Sequence, residues 1–258
     1  MPNRRPIDIT ATRKAIRRGE PVFFPDLDVT HCTIHGRSFA FASDRMRDPI
    51  QRSHRAGTFY EEPELAMIRA HFPQGGTFVD IGANVGNHSL YVAAFLQPAR
   101  VVPVEPNPIA AKLLLANIAL NNLAAVTDLR LIGMGLSDAA QQDFAMTPRD
   151  ENLGGAQMVA GEGAIETQRG DDALARYAPD FIKIDVEGME MQVLTGLEET
   201  IARHAPVMLI EVDKSHDTAF HDWCAARGYV LENQLKRYNP NTNYLIRKPP
   251  DRAADVAA

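Results

Sequence analysis

Two acidic residues lie where an α/β sheet binds its ligands. Asp80 lies near the end of the apolar segment TFVDI and precedes a turn, Gly82 to Gly86, that leads into an apolar helix. Glu105 ends the next such segment, RVVPVE, 25 residues further along the chain. Ligands of open α/β sheets bind beyond the carboxyl ends of the strands. The two carboxylates therefore predict one ligand site.

The turn after Asp80 differs from the glycine pattern that binds dinucleotides. Counted from Gly82, the second and third glycine positions of GxGxxG hold Asn84 and Asn87, which disfavours an NAD-dependent oxidoreductase. Asp80 would repel a pyrophosphate and attract a cation. S-adenosylmethionine fits better, because it carries an ammonium and a sulfonium. On this interpretation Asp80 binds the ammonium, directly or through water, and Glu105 accepts hydrogen bonds from both ribose hydroxyls.

A third segment, DFIKIDVEG, carries charges on one face of a predicted central strand. Apolar residues at 182, 184 and 186 alternate with Lys183, Asp185 and Glu187. Such charges are costly to bury unless they pair or bind a ligand, and Lys183 with Asp185 could be an internal ion pair. Asp185 and Glu187 lie nearer the carboxyl end of the strand, so they are candidate general bases.

Several polar residues in predicted loops are further candidates. His216 follows the predicted fifth strand and could act as a base. His54 and Arg55 lie in QRSHRAGTFY, which could form a lid. Asn152 lies in the glycine-rich stretch DENLGGAQMV, either a mobile flap or a plain connection. The predicted catalytic residues are Asp185, Glu187 and His216, and the predicted substrate-binding residues are His54, Arg55, Asn152 and Lys183.

Metal binding is possible near a diol acceptor, through Asp185, Glu187 or Glu211, because carboxylate oxygens suit Mg²⁺. The sequence nevertheless indicates no metal. Neither cysteine belongs to a CxxC pair, and the histidines near Cys224 do not have the spacing of a zinc site.

The elements that position these residues follow an alternating pattern. From Thr77 onward, short apolar segments alternate with helical ones, which predicts a doubly wound, mostly parallel, seven-stranded α/β sheet. Before it, residues 29 to 43 alternate around Gly36 and predict a β-hairpin. We expect an N-terminal arm and hairpin over 1–56, a possible substrate lid, then a cofactor-binding domain over 57–249 and a disordered tail over 250–258.

Composition narrows the functional class only slightly. The net charge is −6, but residues 1–55 hold 11 Lys or Arg against 6 Asp or Glu. The basic segment is compatible with an acidic partner or with a solvated arm. No apolar run approaches the roughly 20 residues of a transmembrane helix. The N-terminus has no apolar signal region, and two cysteines fit a reduced compartment, so we expect a cytoplasmic protein without membrane contact.

The quoted segments, taken in order, resemble the FkbM-type family of S-adenosylmethionine-dependent methyltransferases. The resemblance covers roughly residues 57–212 and is carried by FVDIGANVGNHSLYVAA, VVPVEPNP, LLLANIALNN, GLSD and FIKIDVEGMEMQVLTGLEETI. It implies a class I methyltransferase (Rossmann-like) fold that methylates oxygen on sugars, natural products or related metabolites. It also implies that Asp185 and Glu187 face the transfer site.

The cofactor site implied by the resemblance extends the one argued from charge. Ser137 and Asp138 follow the predicted third strand and could bind adenine, although the same pair is common in turns and helix caps. The predicted cofactor-binding residues are Asp80, Gly82, Asn84, Gly86, Asn87, Glu105, Asn107, Ser137 and Asp138.

These observations predict an O-methyltransferase that uses S-adenosylmethionine and acts on a small hydroxylated metabolite, sugar or natural product. Two alternatives remain. The acceptor could be RNA, bound by arginines between 45 and 55, although the acidic core disfavours nucleic acid as a partner. A noncatalytic sensor or scaffold could keep the same pocket. A homodimer is possible.

Overall fold

The computed structural model describes residues 6–147, 152–161, 163–236 and 241–249. The predicted disordered tail, 250–258, lies outside the described residues. Within the described ranges, no helix is both long and apolar enough to cross a membrane.

The helices are short and are distributed along the whole chain. They are α1 Ile9–Arg18, α2 Pro49–Arg55, α3 Glu62–His71, α4 Asn87–Phe95, α5 Pro108–Leu120, α6 Gly170–Leu174, α7 Glu190–Gly196, α8 Glu198–His204 and α9 Asp217–Arg227. A 3₁₀ turn, Lys214–His216, precedes α9.

The strands belong to three sheets. They are β1 Asp28–Ile34, β2 Arg37–Ser43, β3 Thr77–Ile81, β4 Arg100–Val104, β5 Gly135–Ser137, β6 Gln141–Met146, β7 Met158–Ala160, β8 Ile165–Arg169, β9 Phe181–Ile184, β10 Val207–Val212, β11 Val230–Leu235 and β12 Thr242–Arg247. β1 and β2 form the N-terminal hairpin, and β5, β8, β6 and β7 form a small mixed sheet in that order.

The central sheet has the order β4-β3-β9-β10-β12-β11. Its pairs from β4 to β10 are parallel, and β12 pairs antiparallel with β10 and β11. Alternate residues of the strands pack on opposite faces. Val79 and Ile182 join a cluster that includes α7, α8 and α9, while Phe78 and Phe181 join one that includes α3 and α4. Both faces are therefore covered, as the apolar strands predict.

The prediction of seven strands is wrong for the described residues, because the central sheet has six. The segment after α5 reaches β4 only through two isolated bridges, Val101 with Thr127 and Glu105 with Ile132. Arg13 of α1 donates from its guanidinium to the carbonyl oxygens of Arg130 and Ile132. Pro103 of β4, which lies between Val101 and Glu105, has no N–H to donate to this segment, and the next strand, β5, joins the small sheet.

The N-terminal hairpin is held against α5 by two asparagines. Asn117 Oδ1 accepts a hydrogen bond from the Ala42 amide at 2.6 Å, and Asn121 Oδ1 accepts one from Ala40 at 2.9 Å. Asn121 Nδ2 also donates to the Ala40 carbonyl at 2.7 Å. Residues four apart lie on one helix face. The two side chains therefore hydrogen-bond backbone groups along one edge of β2, as a neighbouring strand would.

Candidate functional site

A cavity of about 290 Å³ lies at the carboxyl ends of β3, β4, β9 and β10. We call its charged side the strand-end wall, formed by Gly82, Asn84, Glu105, Lys183, Asp185, Glu187 and Glu211. We call the other side the second wall, formed by Pro49, Ile50, Tyr60, Glu61 and residues 152–156. Asn87 and His88, at the start of α4, also line the cavity.

Gly82 lies where two backbone segments cross. The Gly82 and Ala83 amides both donate to the Val104 carbonyl, at 3.0 and 2.9 Å. A Cβ on Gly82 would lie 1.7 Å from the carbonyl oxygen of Asp185. A glycine is therefore needed at this position because the chain that leaves β9 passes close to it. Gly82 also lines the cavity. Gly86 does not line the cavity; its Cβ would meet the Leu114 side chain at 2.7 Å.

Asp80 is fully buried and is not among the residues that line the cavity, so its bond to an ammonium stays a prediction. Ser89 Oγ, one turn into α4, donates to Asp80 Oδ2 at 2.6 Å. Lys183 Nζ, on the adjacent strand, lies 3.7 Å from Asp80 Oδ1. Burial raises the pKa of Asp80, although the positive charge of Lys183 opposes the shift. The carboxylate is thus turned toward Ser89 and Lys183.

Glu105 lines the cavity and is held by backbone donors on both sides. Its Oε2 accepts from the Asn84 amide and its Oε1 from the Asn107 amide, each at 2.7 Å. Burial raises the pKa of Glu105 to about 7, although the two amides oppose the shift. Asn107 itself does not line the cavity, because its side chain caps α5 by accepting from the Ile109 amide at 3.0 Å.

Asn84 supplies an unsatisfied acceptor at the same wall. Its backbone has a φ of 52°, in the left-handed region. Its Oδ1 is buried and has no hydrogen-bond partner among the described residues. Buried polar atoms are usually bonded, so an orphan oxygen in a cavity wall marks a place for a ligand donor.

The charged face of β9 forms the ion pair that the sequence left open. Lys183 Nζ donates to Asp185 Oδ2 at 3.1 Å. Burial alone would lower the pKa of Lys183, but Asp185 and Asp80 raise it above its ordinary value. Burial would likewise raise the pKa of Asp185, but Lys183 holds it below its usual range. Lys183 therefore stays charged and keeps Asp185 ionised.

Three carboxylates meet at this end of the cavity. Asp185, Glu187 and Glu211 each offer an oxygen, and these oxygens lie within 4.8 Å of one another. Burial, and then the negative charge of Asp185, raise the pKa of Glu211 to about 10. Glu211 is therefore protonated at neutral pH beside an ionised Asp185. The set could hold a divalent cation, but acidic groups alone do not indicate one.

Four further predicted site residues also lie outside the cavity. His216 Nδ1 pairs with Glu190 Oε1 at 2.7 Å in the turn before α9. Ser137 Oγ donates to Asp138 Oδ1, and the Ser137 carbonyl packs against Gly196. Arg55 pairs with Asp28 at 3.1 Å on the hairpin.

His54 lies outside the cavity as well. The stretch that carries it and Arg55 was predicted to be a loop, but it forms helix α2. His54 is fully buried there and stacks on Phe41. Asn152 and Lys183, by contrast, do line the cavity.

Sequence reasoning missed most of the second wall. Tyr60 lies in the stretch predicted as a possible lid, and Glu61, Pro49 and Ile50 carried no signal. His88, which lines the cavity, has its Nε2 3.6 Å from Glu61 Oε2. A left-handed φ of 60° at Glu61 cannot be read from a glutamate, because that residue type rarely adopts it.

A comparison with known protein families shows which family this chain matches. The family described as the methyltransferase FkbM domain matches residues 80–236, more than half of the chain. The chain belongs to the FkbM methyltransferase family. The matched region contains the whole strand-end wall, whereas Pro49, Ile50, Tyr60 and Glu61 of the second wall lie before it.

Two of the curated relatives that the chain resembles are named as methyltransferases. Methyltransferase sdnD of Sordaria araneosa is 29% identical over 170 residues, which cover 50% of this chain and 63% of that protein. Hexuronic acid methyltransferase AglP of Haloferax volcanii is 31% identical over 146 residues, which cover 55% and 58%. The chain thus matches less than two thirds of the length of either relative.

Among solved structures, methyltransferase FkbM from Methylobacillus flagellatus KT aligns with a TM-score of 0.46 at 23% identity. The alignment covers 66% of this chain and 43% of that one.

Proposed function

We propose that this FkbM family member uses S-adenosylmethionine to methylate a hydroxyl oxygen on a small metabolite, sugar or natural product. One observation carries the proposal: a single cavity has the backbone-held carboxylate of Glu105 at the end of β4 and a carboxylate cluster at the ends of β9 and β10. The first suits a ribose diol, and the second suits an acceptor hydroxyl.

The strand-end wall fits the proposed cofactor. Glu105 would accept from the ribose hydroxyls, because each of its oxygens keeps lone pairs beyond the one used by an amide. The orphan Oδ1 of Asn84 would accept from the ammonium. When bound, S-adenosylmethionine supplies an electrophilic methyl group. Its positive charge suits a wall that, among its described residues, holds four carboxyl groups against Lys183.

Asp185 is the residue best placed to receive the proton of an acceptor hydroxyl. An alcohol has a high pKa, so its attack on a methyl group benefits from a nearby base. The ion pair with Lys183 keeps Asp185 ionised and fixes its orientation. Glu211 hydrogen-bonds to Asp185 in its protonated form, so this pair carries one proton rather than two negative charges.

RNA is a weaker acceptor candidate. A nucleic acid would bring phosphates toward the ionised Asp185, and like charges repel. A noncatalytic sensor would keep the cofactor wall but would not transfer a methyl group, so turnover separates it from the enzyme.

Calorimetric titration with S-adenosylmethionine, S-adenosylhomocysteine and NAD tests the proposal. We expect the first two to bind and NAD not to bind. Glu105→Ala should abolish binding, whereas Glu20→Ala, an exposed glutamate paired with Arg18, should not change it. Binding of NAD alone, or of none of the three, would contradict the cofactor assignment. An acceptor screen that detects S-adenosylhomocysteine release then tests turnover.

A further inference from the structure

Helix α2 lies outside the residues that match the family, yet it contacts both ends of the second wall. Pro49 and Ile50, in its first turn, line the cavity. The helix is fixed to the end of β2, because Gln51 Oε1 accepts from the Asp44 and Arg45 amides at 2.8 and 2.9 Å. Gln51 is fully buried. The helix is therefore anchored independently of any ligand.

Asp48 joins the start of α2 to residues 152–156 of the second wall. Its side chain is 1% exposed. Oδ1 accepts from the Gln51 amide at 3.0 Å, which caps the helix, and Oδ2 accepts from the Leu153 amide at 2.9 Å. Leu153 is buried in a cluster that Ile50 packs against. One carboxylate thus holds a helix and a stretch of cavity wall 105 residues away.

His54 joins the last turn of α2 to the start of α4. It stacks on Phe41 with 4.1 Å between ring centroids, and its Nε2 lies 3.2 Å from Asn87 Oδ1. Burial lowers the pKa of His54 to about 4, so the ring is neutral and donates through Nε2 to the amide oxygen. Asn87 Oδ1 also accepts from the Tyr60 amide at 2.9 Å, and Nδ2 donates to the Tyr60 carbonyl at 2.8 Å. Both Asn87 and Tyr60 line the cavity.

We propose that α2 positions the cavity for its ligand, with Asp48 and His54 as positioning residues that hold residues 152–156 and the Asn87–Tyr60 pair. The inference rests on the proposed function for its ligand. Its geometric part does not depend on a ligand, because both bonds join α2 to wall residues directly. A helix with only a structural role would affect stability and leave ligand affinity unchanged.

Asp48→Ser separates the two bonds of Asp48. Serine is as good a helix cap as aspartate, but its single short hydroxyl cannot reach Leu153 as well. We expect faster hydrogen exchange at the Leu153 amide, measured by NMR, and about fivefold weaker binding of S-adenosylhomocysteine at 25 °C, the loss of one hydrogen bond. The matched control is Asp8→Ser, because Asp8 caps α1 by accepting from Ala11 and lies away from the cavity.

His54→Leu and His54→Gln test the other end. Leucine removes the donor to Asn87 and fills the buried space, so we expect faster exchange at the Tyr60 amide and weaker binding of S-adenosylhomocysteine by about fivefold. Glutamine keeps a donor and should restore most of the affinity. Rescue by glutamine is not expected if the ring acts only by packing on Phe41.

Failure of the proposed function can be distinguished from failure of the positioning role of α2. If wild-type protein does not bind S-adenosylhomocysteine, the proposed function is wrong, and the exchange rates of Leu153 and Tyr60 still report whether α2 holds the walls. Wild-type affinity in both Asp48→Ser and His54→Leu would overturn the positioning role. Unchanged exchange at Leu153 and Tyr60 in these variants would overturn it as well.

Discussion

The two walls of the cavity are built from different interactions. The strand-end wall carries its charges on residues fixed by a parallel ladder, with Lys183 and Asp185 at and just beyond the end of β9. The second wall is held by single side chains that cross long sequence distances, such as Asp48 to Leu153. We therefore propose that chemistry resides where the sheet fixes geometry, and that the second wall adjusts how the ligand is held.

The largest expected effect tests the fixed geometry of the strand-end wall. Gly82→Ala places a Cβ 1.7 Å from the Asp185 carbonyl oxygen, so the turn and β9 cannot keep their positions. We expect a loss of several kcal/mol in the free energy of unfolding, measured in urea. Gly36→Ala has a similar positive φ, 77°, but nothing within 4 Å, and should cost only about 1 kcal/mol. Equal losses in the two variants would show that the positive φ alone, and not the close approach of the Asp185 carbonyl, accounts for the cost at Gly82.

The next effect tests whether the strand-end wall carries the chemistry. Asp185→Asn removes the proposed proton acceptor, so kcat should fall by about 10²- to 10⁴-fold once an acceptor is known. Affinity for S-adenosylhomocysteine should change little, which calorimetry can check. Asp172→Asn, on the exposed side of α6, serves as the control. If Asp185→Asn retains turnover, Asp185 is not the base, and Glu187 is the next carboxylate to test.

A third effect concerns the pH dependence of cofactor binding at Glu105. Its pKa of about 7 means that the carboxylate is mostly protonated at pH 6 and mostly ionised at pH 8. The ionised form accepts from both ribose hydroxyls, so affinity for S-adenosylhomocysteine should rise by roughly tenfold over that range. Glu105→Gln cannot ionise and should bind weakly with a flat profile. A wild-type profile that is also flat would remove Glu105 from the ribose interaction.

The smallest expected effect comes from relieving backbone strain at one residue in each wall. Glu187 of the strand-end wall and Glu61 of the second wall both have a left-handed φ, 52° and 60°. Replacing either with glycine relieves that strain and should raise the melting temperature by about 2–4 °C, equivalent to roughly 1 kcal/mol. Ala205→Gly, with a φ of 46° away from the cavity, is the matched control. A fall in melting temperature only at Glu61 and Glu187 would show that their side chains stabilise the fold.

The sequence predicts the strand-end wall well because strand order and strand ends follow from local patterns. Glu105, Asp185 and Glu187 line the cavity as the strand-end rule predicts, and the parallel core around β3 and β9 follows from apolar runs. The direction in which Asp80 points could not be predicted. It depends on Ser89, one turn into α4, and on a lysine about 100 residues away.

The second wall escaped prediction for a similar reason. Neither the bond from Asp48 to Leu153 nor that from His54 to Asn87 leaves a local pattern. The absence of a seventh strand from the described part of the central sheet, by contrast, had a local signal, because Pro103 of β4 has no N–H to donate to a ladder.

The buried pairing of Lys183 with Asp80 and Asp185 constrains how this protein can evolve. Loss of Lys183 alone would leave two carboxylates close together beneath the sheet edge, and loss of Asp80 alone would leave its lysine short of a counterion. Either single step is therefore costly, and a joint exchange of Asp80 and Lys183 for neutral residues would still leave Asp185 without its counterion. Positions 80, 183 and 185 should accordingly change together among relatives, and a lineage that loses Lys183 should also have lost both acids.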